Sequence, residues 1–418
     1  MAKLLLIADD FTGALDTGIQ FAEYGATTKM LTSADAEEEL LSNRQIEVLV
    51  IDAETRHLSA QEAYERVFRL VRRARQAGVS CIYKKTDSAL RGNIGSELQA
   101  VLDASGDRFL PFVPALPSMN RITRQGVHYI GGVPIHQTEF GQDLLEPVRS
   151  PRVADLFQGT RAQIRLLPLT ERYRTEAAEP TVGIFDADSD EAIGRIAAHL
   201  NRCGQLRVMA GCAGFAAVLP LYLQIQKKKS VFPRLAQPLL VVCGSVNPVT
   251  RRQIEYGESL GYKRVVMTPR QQLEAGYFDS AEGKAWLAGF SDYFRESRVV
   301  MIDTGISNQE AVEEYKQRHH ITTKEAGRRI ADRIGYVLRE LLRRNRERTL
   351  MIIGGDTLMS FVSKAKCREI EPVCEVEPGT VLSSMQIEDG RIWVISKSGG
   401  FGEENLLRTV AEKVEALC

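Results

Sequence analysis

Short apolar runs alternate with helical patterns along the first third of the chain. The runs that we interpret as strands are 3–8, 27–31, 48–51, 81–84 and 109–113. Between them, residues 60–77 carry apolar side chains at helical spacing, with Ser59 as a candidate N-cap and Gly78 after the last turn. Strands that alternate with helices of this length indicate a parallel sheet with crossover helices.

A second series of the same kind begins near residue 239. Its predicted strands are 239–243, 264–267, 299–302, 350–353 and 392–395. Residues 324–344 predict a long helix with one apolar face, which includes Ile334, Leu338 and Leu341. The polar segment 227–238 separates the two series and predicts a linker. We therefore expect an α/β protein of two domains, 1–230 and 231–418, each built on a largely parallel sheet flanked by helices.

The stretch 114–167 is rich in proline and glycine, and its apolar residues show no regular helical or strand spacing. We predict a long irregular loop here, and long loops in ordered domains are usually functional. Farther along, residues 211–214 predict a tight turn that leads into a helix ending near Ile225.

Composition and charge exclude several classes of protein. Lys and Arg total 54, Asp and Glu total 54, so the formal net charge is zero, which does not fit a nucleic-acid binder. No apolar run reaches the roughly 18 residues of a membrane span. Seven cysteines without a CxxC pair favour reduced thiols. We expect a cytoplasmic protein with small-molecule ligands, and leave a homo-oligomer open.

Polar side chains follow the ends of the predicted N-terminal strands. They are Asp9 and Asp10 after the first strand, Asp52, Glu54 and Arg56 after another, Lys85, Thr86, Asp87, Ser88, Arg91 and Asn93 after a third, and Asn120, Arg121 and Thr123 after a fourth. Because the carboxyl ends of parallel strands share one edge, these groups should lie close together. Taken singly, each has an ordinary alternative: Asp10 could cap a helix, and Lys85 or Arg91 could be a surface charge.

The chemistry of this set favours a small, anionic, hydroxylated substrate such as a sugar acid. The candidate substrate-binding residues are Asp9, Arg56, Lys85, Thr86, Asp87, Ser88, Arg91 and Asn93. The cations suit a carboxylate or phosphate, and the aspartates suit hydroxyls. Asp9, Asp10 and Asp87 are candidates for a general base. We favour an aspartate of the first loop as the base, with Asp87 holding a substrate hydroxyl.

Glycine-rich loops follow three predicted strands of the second half. Their candidate nucleotide-binding residues are Ser245, Gly354, Gly355, Asp356, Thr357, Gly399 and Gly400. Glycine lets the backbone approach a phosphate, and a helix N-terminus supplies N–H donors. Neither a GxxxxGK[ST] motif nor a strand-linked GxGxxG fingerprint occurs, so a P-loop enzyme and a dinucleotide enzyme are not indicated.

Three motifs resemble the signatures of the four-carbon acid sugar kinases: 7–14 (IADDFTGA), 84–95 (KKTDSALRGNIG) and 397–402 (KSGGFG). The loops at Gly244 and at 354–357 match further motifs of that family. The resemblance implies an N-terminal sugar-acid domain, a C-terminal ATP domain, an active site in the cleft between them, and phosphorylation of a C4 hydroxyl. ATP and Mg²⁺ are the implied cofactors, and the metal ligands are unknown.

Within that family, segment 85–93 is closer to the D-threonate and D-erythronate kinases than to the 3-oxo-tetronate kinases. D-threonate is the expected substrate, with the other two as alternatives. Gly400 stands where many relatives have Asn, and Leu358 where a small residue is frequent. A non-catalytic sensor of sugar acids is a further alternative. A lyase or dehydrogenase would need a metal cluster or a dinucleotide fingerprint.

Overall fold

Both series of strands predicted from the sequence form in the computed structural model. The structure describes residues 2–32, 43, 45–142, 147–168, 179–225, 233–244, 247–304, 309–344, 348–388, 390–397, 399–400 and 402–416. The chain divides into two units, Met1–Ser230 and Val231–Cys418. The predicted linker 227–238 lies partly outside the described residues.

A parallel sheet forms the centre of the N-terminal unit. Its strands are β1 (Leu4–Ala8), β2 (Thr28–Leu31), β3 (Val48–Asp52), β4 (Cys81–Lys85), β5 (Phe109–Val113), β9 (Gln163–Leu166), β10 (Thr181–Ile184) and β11 (Val208–Gly211). Their order is β2-β3-β1-β4-β11-β5-β10-β9, and every neighbouring pair is parallel. The predicted fold class of this unit is confirmed.

Helices cover both faces of this sheet. They are α1 (Phe11–Tyr24), α2 (Ala60–Gln76), α3 (Ile94–Ser105), α4 (Asp190–Arg202) and α5 (Ala213–Val218). Helix α2 begins at a capping box in which Ser59 and Glu62 exchange hydrogen bonds. Its apolar stripe, which includes Val67 and Leu70, packs against Leu5 and Ile7 of the sheet. The period of the side chains therefore decides which face of each element enters the core.

The C-terminal unit has a sheet of mixed direction. Its strands are β12 (Leu239–Cys243), β13 (Lys263–Val266), β14 (Val299–Asp303), β15 (Thr349–Ile353), β16 (Glu369–Glu377), β17 (Thr380–Ile387) and β18 (Gly390–Lys397). The order is β13-β14-β12-β15-β18-β17-β16, with antiparallel pairing only between β16, β17 and β18 in the part described. Its helices are α6 (Pro248–Ser259), α7 (Pro269–Leu273), α8 (Ala281–Glu296), α9 (Gln309–Arg318), α10 (Thr323–Arg344), α11 (Gly355–Lys364) and α12 (Leu406–Ala416).

The prediction of an irregular loop over 114–167 is wrong. This stretch contains β6 (Arg121–Arg124), β7 (Val127–Ile130) and β8 (Val133–Pro134), which form a small antiparallel sheet. It also contains β9, which belongs to the parallel sheet. Gly126 adopts φ +72 in the turn between β6 and β7, a conformation that favours glycine. Because the strands of the antiparallel sheet are short, the alternation of their side chains could not be recognised among the turn residues. We call this antiparallel sheet the arm.

Two further differences from the sequence-based expectations have local causes. The helix expected to end near Ile225 ends at Val218, where a 3₁₀ turn containing Pro220 follows. The hairpin of β16 and β17 was not predicted, although alternate residues of β16 are buried. Pro372 inside this strand and the short Pro378-Gly379 turn obscured the alternation.

Among the described residues, none of the helices combines the length and apolar character that crossing a membrane requires. The cysteines in the same part of the chain are free thiols, and Cys212, Cys243, Cys367 and Cys374 are buried.

Two glycines of α10 should respond oppositely to alanine. A Cβ at Gly335 would lie 2.8 Å from the Ser360 carbonyl carbon of α11, whereas nothing lies within 4 Å of a Cβ at Gly327. Gly335→Ala should lower the free energy of unfolding of this unit by about 1–3 kcal/mol through overpacking. Gly327→Ala should raise it by roughly 0.5–1 kcal/mol through helix propensity.

Urea denaturation followed by tryptophan fluorescence measures both effects, because both tryptophans, Trp286 and Trp393, belong to the C-terminal unit. Equal effects of the two substitutions would contradict the described packing of α10 on α11.

Candidate active site

Three strands of the N-terminal sheet end at the same level. Ala8 of β1 pairs with Asp52 of β3 on one side and with Lys85 of β4 on the other. The loops that follow therefore leave the sheet at one edge, where ligands of parallel sheets bind. This register brings the aspartates, Arg56 and the 85–93 segment together, as the sequence predicted.

Arg56 contacts three carboxylates. Its Nε donates to Asp9 Oδ2 at 2.8 Å, and its Nη1 lies 2.7 Å from Asp10 Oδ2. The Nη2 group lies 3.5 Å from Asp87 Oδ1. The Arg56 side chain is 9% exposed. Burial would lower the pKa of Arg56, but the charges of Asp9, Asp87 and Asp10 raise it above its ordinary value. Each nitrogen of this guanidinium thus already faces an anion.

Asp87 is held by a second arginine. Arg91 donates from Nε to Asp87 Oδ2 at 2.7 Å and from Nη2 to Asp87 Oδ1 at 3.2 Å, a bidentate pair. Burial alone would raise the pKa of Asp87, but Arg56 and Arg91 outweigh it and hold the pKa well below its ordinary value. This carboxylate stays ionised and is a poor proton acceptor.

The two aspartates of the first loop have different surroundings. Asp9 is 2% exposed and Asp10 is 28% exposed. Asp10 caps α1, since its Oδ1 accepts the Gly13 amide at 2.9 Å. Burial and the neighbouring Asp9 charge raise the pKa of Asp10 above its ordinary value. Of the three aspartates, Asp10 has the surroundings of a proton acceptor, while Asp9 fixes Arg56.

The other predicted substrate ligands are distributed around this cluster. Lys85 is buried, and a Cβ on Gly13 would lie 2.6 Å from its Nζ, so the amine faces the first loop. Thr86 is buried, and its hydroxyl has no hydrogen-bond partner in the described part of the chain. Asn93 donates to the carbonyls of Thr55 at 3.0 Å and Leu58 at 2.8 Å. Asn93 therefore clamps the loop that carries Arg56.

A buried ion pair below the cluster was not predicted from the sequence. Lys84 Nζ lies 3.1 Å from Glu97 Oε2, and Glu97 accepts a hydrogen bond from the Thr55 hydroxyl. Burial raises the pKa of Glu97 above its ordinary value, although Lys84 opposes the shift. Two features of the sequence could have predicted this ion pair, because Lys84 interrupts an apolar strand and Glu97 lies on the buried face of α3. Charged residues at core positions indicate a paired, structural role.

The arm supplies Arg121, which the sequence analysis put at this sheet edge but not among the substrate ligands, and His128, which it did not put there. Arg121 donates from Nη1 to the Ser88 hydroxyl, and His128 Nε2 lies 3.0 Å from the Ser88 carbonyl oxygen. Burial lowers the pKa of His128 to about 4, so the ring is neutral near pH 7 and donates through this nitrogen. The arm therefore fixes the chain directly after Asp87.

The glycine loops of the C-terminal unit also share one sheet edge. Cys243 pairs with Ile353 and Ile353 pairs with Lys397, all in parallel strands. A Cβ on Gly244 would overlap the Thr357 hydroxyl, so the first two loops are in contact. Gly354 adopts φ +111 directly before α11, whose N-terminus includes Gly355, Asp356 and Thr357. Backbone N–H groups at such a terminus suit a phosphate.

Lys397 brings a cation to this edge and was not among the predicted ligands. Its side chain is buried at the end of β18, with Nζ 3.3 Å from the Gly399 carbonyl oxygen and 3.4 Å from Thr250 Oγ1. Burial lowers the pKa of Lys397 to about 8. Gly399 and Gly400 follow directly, and Asn247 lies 3.5 Å from a Cβ built on Gly400. Ser245 lies outside the described residues.

The described residues contain no group of three His, Cys, Asp or Glu side chains arranged to hold a metal ion. Mg²⁺ in phosphoryl-transfer sites needs only one or two carboxylates, because substrate phosphates and waters complete its shell. Asp356 is exposed in the first turn of α11 at the edge of the glycine loops. An exposed carboxylate beside these glycine loops fits such an ion.

Comparison with protein families gives two matches. Residues 4–219 match the model of a sugar-binding N-terminal domain. Residues 240–407 match the model of a nucleotide-binding C-terminal domain. The carboxylate and arginine cluster thus lies in the first matched region, and the glycine loops lie in the second.

Curated relatives cover nearly the whole chain. A D-threonate kinase of Salmonella typhimurium is 28% identical and covers 97% of this chain and 96% of its own. A D-threonate kinase of Bordetella bronchiseptica is 29% identical over 98% of this chain and 96% of its own. A D-erythronate kinase of Heliobacterium modesticaldum is 26% identical over 90% of this chain and 89% of its own.

Two solved structures share the fold. One, from Haemophilus influenzae, has a TM-score of 0.76 at 19% identity and covers 98% of this chain and 99% of its own. The other, from Salmonella typhimurium, has a TM-score of 0.82 at 19% identity and covers 99% of this chain and 100% of its own. At this identity they establish the fold alone.

The opposite pKa shifts of Asp10 and Asp87 predict opposite effects on stability. A raised folded-state pKa means that ionised Asp10 disfavours folding at neutral pH, so Asp10→Asn should leave the N-terminal unit as stable as the wild type or stabilise it by up to ~1 kcal/mol. Asparagine is an equally good helix cap. The gain should shrink as the pH falls toward the ordinary aspartate pKa.

Asp87 has a lowered pKa, so its stabilisation is present above the pKa of the unfolded state and is lost only in acid. Asp87→Asn should therefore destabilise this unit by roughly 2 kcal/mol at pH 7. Calorimetry at pH 7 and pH 5 measures both variants. A parallel thermal scan of tryptophan fluorescence identifies the calorimetric transition of the C-terminal unit, because both tryptophans lie there. The transition without a fluorescence change belongs to the N-terminal unit. Equal destabilisation by the two substitutions would refute the assignment.

Proposed function

Because the chain belongs to the four-carbon acid sugar kinase family, we propose that it transfers the γ-phosphoryl group of ATP to the C4 hydroxyl of D-threonate. The chain is an ATP-dependent phosphotransferase that acts on a hydroxyl group. The two relatives named D-threonate kinase, with coverage of 96% of their own lengths, support this substrate. D-erythronate and 3-oxo-tetronates are the alternatives, because further relatives carry those names.

The contact of one arginine with three aspartates carries the proposal. Asp9, Asp10 and Asp87 surround Arg56 at the edge where a parallel sheet binds its ligands. Carboxylate oxygens in this arrangement suit the several hydroxyls of a sugar acid, and the Arg91 and Lys85 cations suit its charge. We assign the sugar acid to this cluster.

Asp10 is the residue that we propose as general base. The C4 hydroxyl must lose its proton as the phosphoryl group arrives, and a carboxylate within hydrogen-bond reach can accept it. Asp10 is more exposed than Asp9, and its raised pKa favours proton transfer. Its contacts with the Gly13 amide and with Arg56 leave lone pairs available for the substrate. Asp87, ionised and held by Arg91, would orient a hydroxyl.

ATP is assigned to the glycine loops of the C-terminal unit. The N-terminus of α11 and the backbone after Gly354 would bind phosphate oxygens, and Lys397 would supply a positive charge beside them. Mg²⁺, carried by the phosphates, would be held on the protein side by Asp356 and would neutralise charge that develops on the transferred group. Ser245 and the expected site between the two domains stay predictions.

The reaction is tested by assaying ADP release with ATP, Mg²⁺ and each of D-threonate, D-erythronate and a 3-oxo-tetronate. D-threonate should give the highest kcat/KM, and EDTA should abolish turnover. If D-erythronate gives the highest value, the kinase assignment holds and the substrate changes. The absence of ADP release above background with every acid would overturn the proposed function.

The base is tested by Asp10→Asn, which keeps the shape and the helix cap while removing the charge. We expect kcat to fall by about 10²- to 10⁴-fold, because general-base catalysis has that size, with little change in KM for D-threonate. Asp188→Asn is the matched control, since Asp188 forms an exposed pair with Arg124. Near-normal kcat in both Asp10→Asn and Asp9→Asn would place the base elsewhere, with Asp87 as the next candidate.

A further inference from the structure

The proposed substrate carries a carboxylate, and the cations near the cluster differ in how far their charges are already compensated. Arg56 is one of the cations that the sequence suggested for a carboxylate, but its Nε, Nη1 and Nη2 already face Asp9, Asp10 and Asp87. A fourth carboxylate at this guanidinium would meet three negative charges. The anion of the substrate therefore requires another cation at the same edge.

Arg121, on the arm, is a further cation near Asp87, whose charge acts on it. It begins β6 of the arm and donates from Nη1 to the hydroxyl of Ser88, the residue next to Asp87. Its Nε–H is buried and has no hydrogen-bond partner among the described residues. Burial lowers the pKa of Arg121, with only partial compensation from Asp87. A buried, unsatisfied guanidinium donor favours the arrival of an anion.

Arg121 and Arg91 flank the same aromatic ring. The guanidinium carbons of Arg91 and Arg121 lie 5.3 Å and 5.4 Å from the centre of the Phe140 ring. Such cation–π contacts attract both positive groups to the same ring without cancelling their charges. Asp87 is the carboxylate that compensates Arg91, and it is shared with Arg56.

We propose that Arg121 is a specificity-determining residue that, together with Arg91, binds the carboxylate of the sugar acid. This inference rests on the proposed function. It adds the side chain by which the protein would distinguish a sugar acid from a neutral sugar. A guanidinium matches a carboxylate through two parallel N–H donors. The arm, which was expected to be an irregular loop, thereby becomes part of the substrate site.

Selectivity between an acid and its neutral counterpart tests the inference. D-threitol carries a CH₂OH group where D-threonate carries the carboxylate, and it is assayed both as a substrate and as a competitive inhibitor. In Arg121→Gln, kcat/KM for D-threonate should fall about 10- to 100-fold, the size expected for charged hydrogen bonds. The inhibition constant of D-threitol and the KM for ATP should change less than about threefold.

Matched variants separate binding from folding. Arg124→Gln removes an exposed arginine from the same strand, which pairs with Asp188 at 3.3 Å, and should behave as the wild type. Arg121→Lys keeps the charge and should recover part of the lost kcat/KM. A calorimetric transition of the N-terminal unit close to that of the wild type verifies that Arg121→Gln is folded.

Four outcomes overturn the inference. Arg121→Gln could leave kcat/KM for D-threonate unchanged, or it could weaken D-threonate and D-threitol equally, which is the result of a structural role. A selective rise of the KM for ATP would mean that Arg121 binds a phosphate instead. Inactivity of the wild-type protein toward every four-carbon acid would overturn the proposed function and the inference with it.

Discussion

The contact of Arg56 with Asp9, Asp10 and Asp87 is the interaction on which the N-terminal site depends. Three carboxylates so close together, two of them nearly buried, would repel each other and lose their hydration without a cation. The guanidinium resolves this conflict because it presents separate N–H groups to each of them. Since Asp9 follows β1 and Asp87 follows β4, the same arginine also ties the loops of neighbouring strands together.

The chemical difference between the aspartates follows from how the cations are distributed. Asp87 receives Arg91 in addition to Arg56, and its pKa falls, whereas Asp10 has the charge of Asp9 beside it, and its pKa rises. Similar side chains thus acquire different acidities from their surroundings, and under the proposed function one would serve as a fixed anion and the other as a proton acceptor. Beneath them, the Lys84–Glu97 pair supports the Thr55 loop that presents Arg56.

Much of this arrangement could be predicted from the sequence. The alternation of strands and helices predicts parallel sheets, and parallel sheets bring residues such as Asp9, Arg56 and Asp87 to one edge. The sequence could not show that Arg56 is already occupied by aspartates, because contacts between loops depend on register and rotamer. Arg121 was predicted at the same sheet edge but not among the substrate ligands, since the strands of the arm are too short for their alternation of side chains to be recognised.

In the C-terminal unit, too, some features could be predicted from the sequence and others could not. Its glycine loops could be assigned to strand ends from the sequence, whereas Lys397, although it begins the 397–402 motif, was not recognised as the cation that accompanies them. The hairpin of β16 and β17 was missed because Pro372 interrupts an otherwise regular alternation of buried residues. Local rules therefore predicted the parallel strands and their loops, while the antiparallel additions and the buried charges required the structure.

The most direct test is to map the region of the protein that binds D-threonate in the absence of ATP. Hydrogen exchange, followed by mass spectrometry peptide by peptide, should show slower exchange in residues 9–13, 55–58 and 85–93 and in the arm. The glycine loops of the C-terminal unit should not change. Protection confined to those glycine loops, with none around Arg56, would contradict the assignment of the sugar acid to the carboxylate cluster.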